Sequence, residues 1–127
     1  MGNKILVVDD NPDAITILRS ALESRGYEVI VESNGPAALT AANSNLPDLI
    51  LLDVMMPEMS GMEVLQKLKE EPRTSQIPVI LVTAKTQDED VISGYRYGAD
   101  YYITKPFTTK QLLYGVNLVL GHGDSAE

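Results

Sequence analysis

The 127-residue chain contains no cysteine and no tryptophan, and only one histidine and one phenylalanine. Without cysteine, neither a disulfide nor a thiolate metal site can form, and a reducing compartment, the cytoplasm, is the expected location. No run approaches the roughly 20 apolar residues that a membrane helix needs, so no membrane contact is expected. The first residues lack the basic flank and cleavage site of a signal peptide. Cationic residues are few: 10 Lys and Arg stand against 18 Asp and Glu, for a net charge of −8. That balance argues against a nucleic-acid surface, which needs a basic stripe. It leaves room for a divalent cation or a basic partner, although solubility explains most of the charge. The single histidine, His122, lies in the tail "GHGDSAE" and reads as solvated surface rather than as a ligand or base.

What is present is a regular alternation. Five short β-branched or leucine-rich runs, "KILVVD", "YEVIVES", "DLILLD", "IPVILVT" and "DYYIT", are separated by segments with helical spacing. Ile15, Leu18 and Leu22 make one apolar stripe, and Met62, Leu65 and Leu68 another. Leu112, Leu113, Val116, Val119 and Leu120 make a third, interrupted by Gly115, a weak spot of about 1 kcal/mol relative to alanine. Ser60 with Glu63, Thr86 with Glu89, and Thr108 with Gln111 fit the capping-box pattern. Asn11 ahead of Pro12 reads as an N-cap, and Ser33 or Asn34 caps the second helix. Near-continuous apolar strands alternating with helices imply a parallel sheet covered on both faces. Right-handed crossovers then favour a doubly wound, flavodoxin-like (βα)5 sheet of five strands in the order 2-1-3-4-5. Residues 1–121 are expected to form this one domain, and residues 122–127 a disordered tail.

Ligands of such sheets bind beyond the carboxyl ends of the strands, where the strand order reverses. The residues expected at those ends are Asp9 and Asp10 from the first strand, Asp53 from the third, Thr83 from the fourth and Lys105 from the fifth. Two adjacent carboxylates disfavour each other's ionised form. Helix capping would explain them in isolation, but Asn11 already fills the cap position. A hard divalent cation such as Mg²⁺ relieves the repulsion, since it takes oxygen ligands from one or two carboxylates together with phosphate oxygens. Beside it, Asp53 can serve as a nucleophile that forms an aspartyl phosphate, Lys105 as a point charge for a phosphoryl oxygen, and Thr83 as a hydrogen-bond donor. Singly, each of these residues has an ordinary structural explanation. Their convergence from separate parts of the chain does not. Pro106 follows Lys105, and at X-Pro a cis bond costs only about 0.5–1 kcal/mol. A cis bond here would turn the lysine back over the site, while trans is the commoner arrangement; the sequence leaves both open.

The motifs "ILVVDDNPD", "PDLILLDVMMPEMSGMEVL", "IPVILVTA" and "GADYYITKPF" occur in the order found in response-regulator receiver domains, the phospho-acceptor modules of two-component signalling. The chain resembles that family from residue 4 to about 121. The resemblance implies phosphorylation at Asp53 and Mg²⁺ ligation by the side chains of Asp10 and Asp53, with Asp9 acting partly through water and Met55 through its backbone carbonyl. It also implies Thr83 and Tyr102 as the switch pair and Lys105 as the phosphate contact. Tyr101 departs from the family, which often has aspartate there. Met55 and Lys85, two residues beyond Asp53 and Thr83, occupy positions that tune how readily water reaches the phosphoryl group. The expected partners are a histidine kinase or phosphotransfer protein and a downstream output domain or protein, with a phosphorylation-dependent homodimer possible. The output face would comprise the helix before Tyr97, the fifth strand and the last helix.

Two further groups of residues bear on partners. Met62 belongs to a helix stripe, while Met55, Met56 and Met59 near the rim could form a docking surface. Tyr95, Tyr97, Tyr101 and Tyr102 are rich in contact energy, and an interface role is favoured for Tyr102 and one neighbour. The reading is of a switch and not of an enzyme. A Mg²⁺-dependent phosphatase with an aspartyl-phosphate intermediate would need a cap domain for which the chain has no room. A flavodoxin-type cofactor protein would need a hydroxyl- and glycine-rich phosphate loop where "DDNPD" stands. A module working by protein contact alone would not need the complete rim.

Overall fold

The computed structural model describes residues 3–84 and 95–121. The expected capping box at Thr86 and Glu89, the flanking Lys85, His122 and the tail 122–127 lie outside the described residues. Five strands, β1 (Lys4–Val8), β2 (Glu28–Glu32), β3 (Leu49–Leu52), β4 (Val79–Thr83) and β5 (Tyr101–Thr104), form one parallel sheet in the order β2-β1-β3-β4-β5. The described helices are α1 (Pro12–Glu23), α2 (Gly35–Asn45), α3 (Gly61–Glu70) and α4 (Thr109–Leu120). None of them is long and apolar enough to cross a membrane.

Because side chains alternate across a strand, each central strand feeds two cores. Leu6, Val8, Ile50, Leu52 and Leu81 face α2 and α3, together with Ala38, Val64 and Leu65. Ile5, Val7, Leu51, Ile80 and Val82 face α1 and α4, together with Leu18, Leu22, Leu112 and Val116. β1, β3 and β4 are therefore buried almost throughout, which is why they read as unbroken apolar runs.

The helix starts follow the sequence closely. The side chain of Asn11 accepts from the Asp13 and Ala14 amides with Pro12 at the first helical position, and Asn34, not Ser33, caps α2. Thr108 and Gln111 make the full reciprocal box at α4, while Ser60 accepts from the Glu63 amide at α3. Gly115 is not the weak spot it seemed. A Cβ there would stand 2.9 Å from the Tyr101 ring and 3.1 Å from Ile103 Cδ1, so the glycine is a notch that seats β5 against α4.

The amino-terminal end of the sheet carries a device that appears twice. Asp48 donates its amide to the Lys4 carbonyl at 2.7 Å and accepts the Lys4 amide on its own carboxylate, also at 2.7 Å. Asp100 does the same with Val79, at 2.8 and 2.9 Å. Each aspartate directly precedes a strand, so its side chain satisfies the first backbone donor of the neighbouring strand, which the ladder leaves open. Nearby, Lys69 donates to the Ser75 and Ile77 carbonyls at 3.2 and 2.8 Å and fastens the end of α3 to the entry of β4.

Candidate functional site

At the opposite end of the sheet, the backbone ladder delivers the site. Val8 pairs with Leu52, so Asp9 and Asp53 emerge side by side one residue beyond the strands. The Asp53 amide still donates to the Val8 carbonyl at 3.0 Å, and the Lys105 amide to the Thr83 carbonyl at 2.9 Å. One carboxylate oxygen each from Asp9, Asp10 and Asp53 lies within 4.8 Å of the others. The five residues expected at the strand ends thus meet on one rim.

Burial separates the adjacent aspartates. Asp9 is 1% exposed, whereas Asp10 faces solvent. Asp9 accepts from the Asn11 amide at 2.9 Å and from Lys105 Nζ at 2.7 Å, and the same ammonium stands 3.7 Å from Asp53 Oδ2. Lys105 is therefore the resident counter-ion of two buried carboxylates, a role its reading as a phosphoryl contact did not include. An ammonium so placed relieves part of the carboxylate repulsion, so that a divalent cation is not alone in offsetting it. Burial pushes the Asp53 carboxyl above the ordinary carboxylate range, and the Asp9 charge pushes the same way. The Met55 amide, donating at 3.0 Å, the Lys105 ammonium and the Thr83 hydroxyl all favour the ionised form. The bond between Lys105 and Pro106 is cis.

The donor set suits a hard cation. It consists of carboxylate oxygens, with no imidazole or thiolate in the cluster. The loop behind Asp53 is closed by hydrogen bonds from the Met56 and Gly61 amides to the Val54 carbonyl, at 3.2 and 2.9 Å. Gly61 is required by close approach: a Cβ there would overlap the Asp53 carbonyl oxygen and lie 2.7 Å from Val54 Cα. Glu58, in the same loop, has φ 69°, in the left-handed region. Neither feature was read from the sequence, although "PEMSG" carries the one residue type that tolerates such an approach.

Other expectations need correction. Met56 is not a docking residue, since it is buried in the core between β3 and α3, and Met59 packs against Gly35 at the start of α2. Thr83 is fully buried, and Tyr102 is half-buried against the α2–α3 side of the sheet. Tyr101 packs on the opposite side, against Gly115, while Tyr95 and Tyr97 are exposed. Asp48, Asp100 and Lys69 were missed, because their partners are backbone atoms of other segments; the recurrence of aspartate just before two strands was the available signal. An apolar groove of about 450 Å³ adjoins Lys105, lined by Asn11, Ala14, Ile17, Ala84, Lys105 and Phe107 among others.

Comparison with known proteins agrees with this geometry. A sequence model of the response regulator receiver domain matches residues 5–117. The alkaline phosphatase synthesis transcriptional regulatory protein PhoP of Bacillus subtilis is 40% identical over 99% of this chain and 52% of its own length. Protein PilH of Pseudomonas aeruginosa is 39% identical over 92% of this chain and 97% of its own. This chain therefore spans about half the length of the first relative and nearly all of the second. Among solved structures, the receiver domain of sensor histidine kinase PA1611 of Pseudomonas aeruginosa superposes with a TM-score of 0.88 at 28% identity, over 95% of this chain and 99% of that one. That structure has a magnesium ion coordinated in its active-site cleft. With three carboxylates, a buried threonine and a lysine gathered at the switch point of a 2-1-3-4-5 sheet, the chain belongs to the response regulator receiver domains of two-component signalling.

Proposed function

We propose that Asp53 is the phospho-acceptor of a switch loaded by a histidine kinase or a histidine phosphotransfer protein. The observation that carries this reading is the placement of Asp53 beside both Lys105 and the Asp9–Asp10 pair. A carboxylate oxygen of Asp53 attacks phosphorus, the bond from phosphorus to the donor nitrogen breaks, and the histidine leaves with the electron pair. Asp10, Asp53 and the Met55 carbonyl, with Asp9 in support, would hold Mg²⁺, which would supply charge neutralisation for the phosphoryl group. Lys105 meets a phosphoryl oxygen as a point charge, and the Thr83 hydroxyl meets another, which draws Tyr102 with it.

The added charge of about −2 alters partner affinity through the face built from Tyr95, Tyr97, β5 and α4. A second copy of the chain and a downstream output domain or protein are the partners this face would take. The groove suits the apolar side of a phosphodonor protein, because Lys105, which lines it, stands 3.7 Å from the acceptor carboxylate. Residues 1–121 form the functional unit in this reading, its setting is the cytoplasm, and this domain itself does not contact nucleic acid. It is a switch and not a turnover catalyst.

Intact mass spectrometry after treatment with a small phosphodonor and Mg²⁺ tests the assignment. One added phosphoryl group is expected in the parent and none in Asp53→Asn, because an amide is not a nucleophile. Equal labelling of both proteins would refute it, and steady hydrolysis of an added phosphomonoester would point to the phosphatase alternative.

A further inference from the structure

The loop after Asp53 and the start of α3 hold Met55, Met56, Met59 and Met62, in a chain whose only sulfur is thioether sulfur. The fold sorts the four. Met56 is 8% exposed, Met59 lies against Gly35, and Met62 packs on the same core. Met55 alone stands out into solvent, at 54% exposure, while its own amide donates to Asp53 Oδ1 at 3.0 Å. The most exposed of these methionines is therefore the residue whose backbone holds the acceptor carboxylate.

We propose that Met55 is an oxidative modification site, at which a peroxide converts the thioether to a sulfoxide and so shortens the life of a phosphoryl group on Asp53. This rests on the reading of Asp53 as the phospho-acceptor. In the oxidation the sulfur attacks one peroxide oxygen and the O–O bond breaks. The sulfur gives up two electrons and gains an S=O bond, and the peroxide, reduced, departs as water. A neutral peroxide meets no electrostatic barrier at the acidic rim. The change in chemistry is large for a single atom. A flexible apolar side chain that excludes water becomes a polar one with a strong hydrogen-bond acceptor. Hydrolysis of an aspartyl phosphate requires water to reach phosphorus, and a sulfoxide on the residue whose amide holds Asp53 would hold water where the thioether sheds it.

The intact chain treated with hydrogen peroxide and mapped by tandem mass spectrometry tests the first half, with oxidation of Met55 expected several-fold faster than that of Met56, Met59 or Met62. Loading with a small phosphodonor and following the loss of the phosphoryl group by intact mass tests the second. The oxidised parent should lose it several-fold faster than the untreated parent. Methionine sulfoxide reductase should restore the original lifetime, and Met55→Leu should show the same lifetime with and without peroxide. Melting curves before and after treatment separate this from unfolding. Earlier oxidation at Met59 or Met62, equal lifetimes in the oxidised and reduced parent, or an undiminished peroxide response in Met55→Leu would each overturn the proposal. A parent that oxidises first at Met55 but takes no phosphoryl group would fail on the Asp53 reading, and the claim about lifetime would fall with it.

Discussion

Replacing the Asp53 carboxylate by an amide of the same shape removes a charge that burial and Asp9 both disfavour. A carboxyl whose folded-state pKa lies above its unfolded value weakens the fold wherever it is ionised in both states. That cost vanishes below the unfolded value and is complete above the folded one. Asp53→Asn should therefore melt a few degrees above the parent at neutral pH, and the gap should close as the pH falls through the folded-state value. Paired melts from about pH 8 to pH 4 would show it, and a gap that widens in acid would reverse the argument. That these residues would gather at the strand ends was legible because they close the apolar runs. Their pairing was not. Nothing in "VVDD" says that Asp9 turns inward to Lys105 while Asp10 faces water; that follows from where the chain places Lys105, one residue beyond the end of β5. The methionines show the same limit from the other side, since one tract holds core, contact and solvent positions that no local pattern separates.

Element ends and element contacts are where single substitutions should change stability most simply. Leu46 closes α2 with φ 46° and ψ 62° while 44% exposed, a left-handed conformation that costs an L-residue roughly 1–2 kcal/mol. Leu46→Gly relieves it and gives back part as chain entropy, for a net gain of roughly 0.5–1 kcal/mol. The urea midpoint should rise with its slope unchanged. Gly115→Ala runs the other way. Helix propensity favours alanine by about 1 kcal/mol, but crowding against Tyr101 and Ile103 should cost about 1–3 kcal/mol and leave the variant less stable. A midpoint above the parent's would show that the notch is slack. The strand order followed from the crossover rule. The described helices and most of their caps could be read from periodicity and punctuation, because these are local signals. The Gly115 notch could not, because its reason lies on a strand that precedes the helix and crosses beneath it.

For the molecule as a whole, charge at the rim and stability are coupled. Lys105→Met leaves Asp9 buried without its ammonium, a loss of about 1.5–3 kcal/mol. Millimolar Mg²⁺ should raise the melting temperature of the parent, since a ligand bound only by the folded state stabilises it. The rise should be larger in Lys105→Met, where no ammonium competes for the carboxylates. If Asp10→Ala keeps the whole Mg²⁺ shift, the metal assignment is wrong. None of these rim changes touches Asp48 or Asp100, whose paired bonds to Lys4 and Val79 bind the strands at the far end of the sheet. The sheet is thus hemmed along one border and open along the other. Amide exchange at Lys4 and Val79 should stay slow in every rim variant, and the open border is free to trade one chemistry for another while the weave beneath it holds.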